Sequence, residues 1–302
     1  MAGTLIFITG KSGSGKDTIQ KELIAYDRDN NPSQKKLHKM KLYTTREKRE
    51  GETDDDYTFL TDESFIEEVH KKTISEHRVY YMSDKTGKSY SVSYGSSGVD
   101  FDKDNIYIGN GAIDQLMNYI NLHLTDRSKG QSLSWFTSLG DIYDLSKSEI
   151  NNGSEIIVIY PYVSEDKRIA RLMDRSIIND KDINYYEFYR RQWQDYEKFG
   201  RIYDILDNTA KHVLAHNDDY LEYVSFNKYS RITYCFVNNM IDYETLHNKI
   251  IPTLHEQIVL TTIYKTIHSD SKSTEAKDKI ELINNPYGTG IDYCSNGFVP
   301  GC

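Results

Sequence analysis

The sequence predicts an α/β fold with a parallel sheet, and three observations carry the prediction. Apolar, strand-like runs alternate with stretches of helical periodicity along most of the chain. Glu155–Tyr160 is an almost uninterrupted apolar run, as a strand buried on both faces of a parallel sheet must be. The stretch Thr4 to Ile19 places a strand, a glycine-rich loop and a helix in immediate succession.

In that opening stretch Leu5–Ile8 is the strand, and Ile19, Leu23 and Ile24 recur at helical spacing. Between them Gly10 to Lys16 reads G-x-x-x-x-G-K, with a further glycine at Gly13. Such glycines let backbone N–H groups turn inward around an anion. The helix N-terminus adds partial positive charge at the same place. Lys16 is then positioned to reach the β- and γ-phosphates of a nucleotide, and Gly10, Lys11, Ser12, Gly13, Ser14, Gly15, Lys16, Asp17 and Thr18 form the expected phosphate-binding stretch. Asp17 stands where a hydroxyl residue ordinarily meets magnesium, and Thr18 follows it, so the expected magnesium ligand is Asp17 or Thr18.

The chain has 302 residues, 38% hydrophobic and 27% charged, enough for one large domain or two modest ones. A net charge of −9 argues against a broad nucleic-acid-binding surface. Cys235, Cys294 and Cys302 have no paired metal spacing and suit a reducing compartment. Met1 leads straight into the first strand, and no apolar run approaches a membrane span, so the expectation is a cytoplasmic protein. Nothing points to a particular protein partner. The 25 tyrosines read as core and surface bulk.

Further along, Asp27 to Lys36 is a polar loop and Leu37–Tyr43 a short strand. Thr44-Thr45-Arg46-Glu47-Lys48-Arg49-Glu50-Gly51-Glu52 follows, then the acidic run Asp54–Asp56, then Tyr57 and Phe59. A helix over Ser64–Lys71 is capped by Thr61 or Asp62. Thr73–Met82 and Tyr90–Val92 read as strands joined by a turn at Lys85–Lys88. Asn105–Ile108 is a strand and Ala112 to about Leu122 a helix. Thr125–Gly153, rich in Ser, Gly and Asp, reads as an insertion, as does Gly200–Tyr229. A helix opening at Ser164 carries Arg168, Arg171 and Arg175, and Arg190 and Arg191 follow on another helical stretch, ahead of Glu197. Arg231–Asn238 is the last strand and Tyr243–His255 the closing helix. Residues 256–302 are expected to be an appendage, polar from about Ile267 onward.

From about Thr4 to His255, with two interruptions, the chain resembles the guanylate kinase family. The resemblance rests on the phosphate loop followed by T-T-R-x-x-R-x-G-E, here Thr44, Thr45, Arg46, Arg49, Gly51 and Glu52, and on the spaced pair Tyr57 and Phe59. It implies that Arg46, Arg49, Glu52, Tyr57 and Tyr90 bind a monophosphate and that Glu76 reads guanine. Charge supports this independently, because arginine forks suit phosphate oxygens. The resemblance also implies a lid at about 165–200, with Arg171, Leu172, Arg175, Arg190 and Glu197 matching its motif, and an adenine-side residue at Asn238, with Asn208 a weaker alternative. One departure stands out: at the end of the strand Asn105–Ile108, where the family places D-x-D, this chain has Tyr107, Ile108, Gly109 and Asn110.

The expected architecture is therefore a three-layer P-loop kinase core over 1–255, with a parallel sheet, an inserted monophosphate-binding region at about 36–101, and a helical lid. The expected reaction moves the γ-phosphate of ATP to GMP or dGMP, with magnesium, through Lys16, Arg171, Arg175 and Arg190. The alternatives are a broad-specificity phage-type deoxynucleoside monophosphate kinase, a sugar-phosphate kinase of the same ancestry, and a non-catalytic interaction module.

Overall fold

The computed structural model describes residues 3–31, 37–48, 52–83, 88–99, 105–123, 155–179, 185–193, 195–196, 199–215, 220–224, 232–260 and 262. The segment 125–153, the turn after Ser83, and Arg49, Glu50, Gly51 and Glu197 lie outside the described residues, as do the side chains of Arg175 and Arg190.

Two sheets are present among the described residues. The larger comprises β1 (Thr4–Thr9), β2 (Leu37–Lys39), β7 (Ile106–Gly111), β8 (Glu155–Tyr162), β9 (Leu221–Val224) and β10 (Ile232–Asn238), in the order β2-β7-β1-β8-β10-β9. All its pairings are parallel except β10 with the edge strand β9. The smaller sheet comprises β3 (Leu42–Thr44), β4 (Thr58–Phe59), β5 (Ile74–Ser83) and β6 (Ser89–Ser97), in the order β4-β3-β6-β5. The segment 37–43, expected as one strand, thus divides: Leu37–Lys39 pairs with β7, and Leu42–Thr44 pairs with β6 in the other sheet.

The sequence periodicity explains the layers. Successive strand residues point to opposite faces, so Leu5 and Phe7 join Ile156, Val158, Tyr234 and Phe236 on one side, and Ile6 and Ile8 join Ile108, Ile159, Cys235 and Val237 on the other. Helices α3 (Ile113–His123) and α6 (Gly200–Leu214) cover the first face through Leu116, Ile202, Leu206 and Ala210. Helix α1 (Lys16–Asn30) and the closing helix cover the second through Ile19, Leu23, Ile250 and Leu254. A parallel sheet needs both covers. The segment 200–230, expected as an insertion, is therefore built into this core, because α6 supplies one cover and β9 the sheet's edge.

The closing helix runs from Tyr243 to Leu260 and alternates α-helical with π-helical turns, Leu246–Ile250 and His255–Leu260 being π. Pro252 between them has no N–H to donate, which disturbs the regular ladder. The helix continues past His255, and Ile258 and Val259 are buried in the second core cluster, so the boundary expected at 255 cuts through a packed element. Asp27 ties three elements together, accepting hydrogen bonds from Leu37 N at 2.9 Å and Asn31 Nδ2 at 2.7 Å and lying 2.9 Å from His255 Nε2.

Helix α2 (Asp62–His70) begins at the Thr61 cap, whose hydroxyl accepts from Ser64 N, and packs Phe65 and Val69 on Tyr43 and Ile74 of the smaller sheet. Helices α4 (Glu165–Asn179) and α5 (Tyr185–Trp193) complete the described elements. No helix among the described residues is long and apolar enough to cross a membrane.

Candidate active site

The loop Gly10–Lys16 leaves the C-terminal end of β1 and enters α1, at the end of the parallel strands where such sheets bind ligands. Gly13 and Gly15 have φ of 84° and 93°, a conformation that side chains disfavour. At Gly15 space forbids a side chain as well, since an added Cβ would stand 2.3 Å from Asn239 Nδ2. Gly15→Ala is expected to cost about 1–3 kcal/mol of stability, read as a lowered denaturant midpoint. Gly10 has no left-handed φ, and its added Cβ would meet only the movable Ser14 Oγ, at 2.9 Å, so Gly10→Ala should cost less.

Lys16 Nζ donates to the carbonyls of Gly10 at 2.8 Å and Lys11 at 3.0 Å. Lys11 points elsewhere: its Nζ donates to Asp207 Oδ2 at 2.8 Å and approaches Glu165 at 3.9 Å. Burial works most strongly against the Lys11 ammonium, but the bond to Asp207 and the charges of Asp207, Glu165 and Tyr196 together outweigh it and the pKa is raised. Asp207 also accepts from the buried Tyr160 hydroxyl at 2.7 Å. Ser14 Oγ is buried with no hydrogen-bond partner among the described residues.

Helix α4 lies against this loop. Arg168, 1% exposed, donates from Nη1 to Ser12 O at 2.8 Å and to Asp195 Oδ2 at 3.3 Å, and from Nη2 to Gln192 Oε1 at 2.6 Å and to Glu165. Asp195 in turn accepts from Ser12 N at 3.0 Å, so one carboxylate already sits on a loop amide. Burial raises the Asp195 pKa, against the opposing pull of Lys16, Ser12 and Arg168. Arg171 Nη2 donates to Asn239 O at 2.8 Å, and Asn239 Nδ2 donates to Ser14 O at 2.7 Å. The structure thus brings Asn239 to the loop. The neighbouring Asn238 spends its side chain within the turn, accepting from Met240 N at 3.2 Å.

A second cluster forms around Arg46. Thr44 Oγ1 donates to Ser93 O at 3.0 Å, and Thr45 Oγ1 accepts from Ser93 N at 3.0 Å, which fixes the start of the arginine segment on β6. Arg46 then makes a two-pronged pair with Glu52, both contacts at 2.6 Å, and lies over the rings of Tyr57 and Phe59 at 5.0 and 5.4 Å. Glu52 therefore holds Arg46 in place. Tyr57 packs on Tyr94, and Tyr94 on Tyr80. Burial, with the charges of Tyr94 and Asp17, pushes the Tyr57 hydroxyl up to about 12. Tyr90 is not in this cluster. It shares a face with Tyr94 but stands four residues, roughly 13 Å, further along β6, opposite Met82 and 45% exposed. The same face of β5 carries Glu76, wholly buried.

Asp17 connects the two clusters: it lies at the start of α1, its charge acts on Tyr57, and its Oδ1 accepts from Asn110 Nδ2 at 2.7 Å. Asn110, at the end of β7, occupies part of the place where the D-x-D was expected. One turn later, Asp114 of α3 accepts from Tyr80 Oη at 2.8 Å, which brings an acid to the tyrosines beside Tyr57. No group of three or more His, Cys, Asp or Glu residues suited to a metal occurs among the described residues.

Residues 2–93 match the family model described as guanylate kinase. A guanylate kinase of Lactiplantibacillus plantarum is 38% identical over 79 residues, which cover 26% of this chain and 35% of the relative. One of a Ruegeria species is 41% identical over 76 residues, covering 25% and 32%. Over residues 2–93 the chain is similar to the guanylate kinases. It spans about a third of the length of these curated relatives. A solved guanylate kinase from Anaplasma phagocytophilum aligns over 89% of this chain and 95% of that one, at 14% identity and a TM-score of 0.38. The family match holds the phosphate loop, Arg46, Glu52, Tyr57 and Glu76. It ends just before Tyr94, so Tyr94, Asp114, Arg168, Arg171, Asp195 and Asn239 lie outside it.

Sequence reasoning missed several of these. Asn239 repeats Asn238 and differs only in facing the loop. Tyr94 falls two residues beyond the strand expected to end at Val92, and continued alternation along β6 points to it. Arg168 stands three residues after Glu165 and reads from the sequence as an ordinary surface pair.

Proposed function

We propose that this chain transfers the γ-phosphate of ATP to GMP or dGMP, giving ADP and GDP or dGDP. The observation that carries the reading is that Asp17, directly after the glycine loop, acts by its charge on Tyr57 of the Arg46 cluster, which sets two places suited to anions near each other. A phosphoryl transfer needs donor and acceptor phosphates side by side and little covalent work from the protein. The donor phosphates would take the inward amides, the Ser14 hydroxyl and Lys16. Arg46 and Tyr57 would hold the acceptor phosphate, with Arg49 expected to join them. Its oxygen is already ionised, so no general base is required. Arg171 reaches the loop through Asn239, and Arg175 and Arg190 are proposed to close over the moving group from the lid at about 165–200.

Magnesium arriving with nucleotide phosphates needs only one or two protein oxygens. The Asp17 carboxylate and Thr18 hydroxyl, next to Lys16, suit that demand. Bound there, the ion would neutralise charge on the β- and γ-phosphates.

A coupled ADP-release assay across GMP, dGMP, AMP, CMP and dTMP tests the substrate class. ADP release that depends on GMP or dGMP is expected. Release of the same size with all five would favour the broad-specificity alternative, and none with any would favour a non-catalytic module.

A further inference from the structure

The acceptor side of the site holds a charge that the guanine-reading expectation did not include. Arg78 stands on β5 two residues after Glu76, directly opposite Tyr94 of β6 and so on the same face. Its Nε lies 2.9 Å from Glu76 Oε1. Its Nη1 reaches Tyr80 Oη and Asp114 Oδ1, each at 3.5 Å. No hydrogen bond ties its Nη2 to any described residue.

Glu76 is placed differently. Its side chain has 0% exposure, and its oxygens already accept from Ser96 Oγ at 2.8 Å and Asn118 Nδ2 at 2.9 Å as well as facing Arg78. The side chains of Arg78 and Asp114 keep 12% and 11% exposure. Solvent therefore reaches Arg78 and Asp114 and does not reach Glu76.

We propose that Arg78, held by Glu76 and Asp114, reads the O6/N7 edge of the acceptor's base, and that the acceptor class is therefore the 6-oxopurine monophosphates, guanine and hypoxanthine alike. The inference rests on the monophosphate-binding reading of this site. O6 and N7 are adjacent acceptors whose spacing matches the guanidinium fork. Adenine presents an amine in place of O6, which sets donor against donor. Hypoxanthine lacks only the 2-amino group, on the opposite edge, which Arg78 does not reach. Glu76 acts here as a positioning residue.

Titration calorimetry on the full chain, with GMP, IMP, AMP and 7-deaza-GMP, tests this without substitution. GMP and IMP should bind within about threefold of each other. AMP should bind more weakly by roughly five- to one-hundred-fold, and 7-deaza-GMP, which lacks only N7, by about five- to tenfold. Arg78→Lys keeps a cation beside Glu76 but loses the fork, and should narrow the GMP-to-AMP gap by about tenfold. Equal binding of AMP or 7-deaza-GMP and GMP would overturn the proposal, whether or not the variant folds. IMP binding more than about thirtyfold weaker than GMP would also overturn it, as that is a reading at the 2-amino edge. If no monophosphate is phosphorylated but the binding order holds, the transfer reading fails and the role of Arg78 stands. Absence of all monophosphate binding would sink both.

Discussion

Lys16→Ala should lower phosphoryl transfer by at least about a hundredfold while leaving the fold intact. A preorganised charge aimed at the moving phosphoryl group acts most in the transition state, and losing one such donor typically costs a factor of about one hundred to one thousand. The fold should survive because Lys16 Nζ donates to carbonyls of its own loop, Gly10 and Lys11, and crosslinks no separate element through them. Single-turnover kinetics with saturating ATP and GMP, alongside the circular dichroism of the variant, check both halves. Near-normal turnover would remove Lys16 from the chemistry.

Arg168→Met should give the largest loss of stability, about 3–5 kcal/mol. The guanidinium is 1% exposed and joins Ser12 O, Glu165, Gln192 and Asp195. Methionine fills much of the volume but leaves the buried Asp195 carboxylate without the Arg168 contact, with Lys16 and the Ser12 amide as its remaining support. The loss should depend on pH in a definite sense. Burial already raises the Asp195 pKa, and removing Arg168 takes away one influence that lowers it. A carboxyl whose folded pKa lies above its unfolded value favours folding at low pH and costs stability as pH rises through the folded pKa. The gap between variant and wild type should therefore shrink as pH is lowered toward the acid range. Denaturant midpoints at several pH values measure it. A gap below about 1 kcal/mol at neutral pH would mean that Arg168 is a surface-like pair and not the strut between α4 and the loop.

The parts of the molecule that depend on neighbours in sequence were legible before the fold was known. The strand, loop and helix of Thr4 to Ile19 follow from local periodicity and glycine placement, and the alternation of Leu5 to Ile8 assigns each residue to its sheet face. The Thr61 cap and the apolar run at Glu155 are equally local. What resisted reading depends on register and on long-range packing. Tyr94 rather than Tyr90 joins Tyr57 because β6 runs on to Ser97 and pairs with β5 across an irregularity between Ile74 and Glu76. Residues 37–43 look like one strand because a two-residue passage at Met40 and Lys41, from one sheet to the other, has no composition of its own. Asn239 and Asp195 acquire their place on the loop from elements far away in sequence, β10 and the stretch after α5. Glu76 was found by its position in the motif, but its closure by Ser96, Asn118 and Arg78 needed the sheet pairing and α3.

The central claim is that the glycine loop and the Arg46 cluster work on one phosphoryl group. Transfer of label from ATP carrying a radioactive γ-phosphate tests it most directly, because ADP release alone does not show where the phosphate goes. Incubated with the full chain, magnesium and GMP, the label should appear in the β-position of GDP, with Lys16→Ala abolishing it. Label found only as inorganic phosphate, or remaining in ATP, would contradict the account.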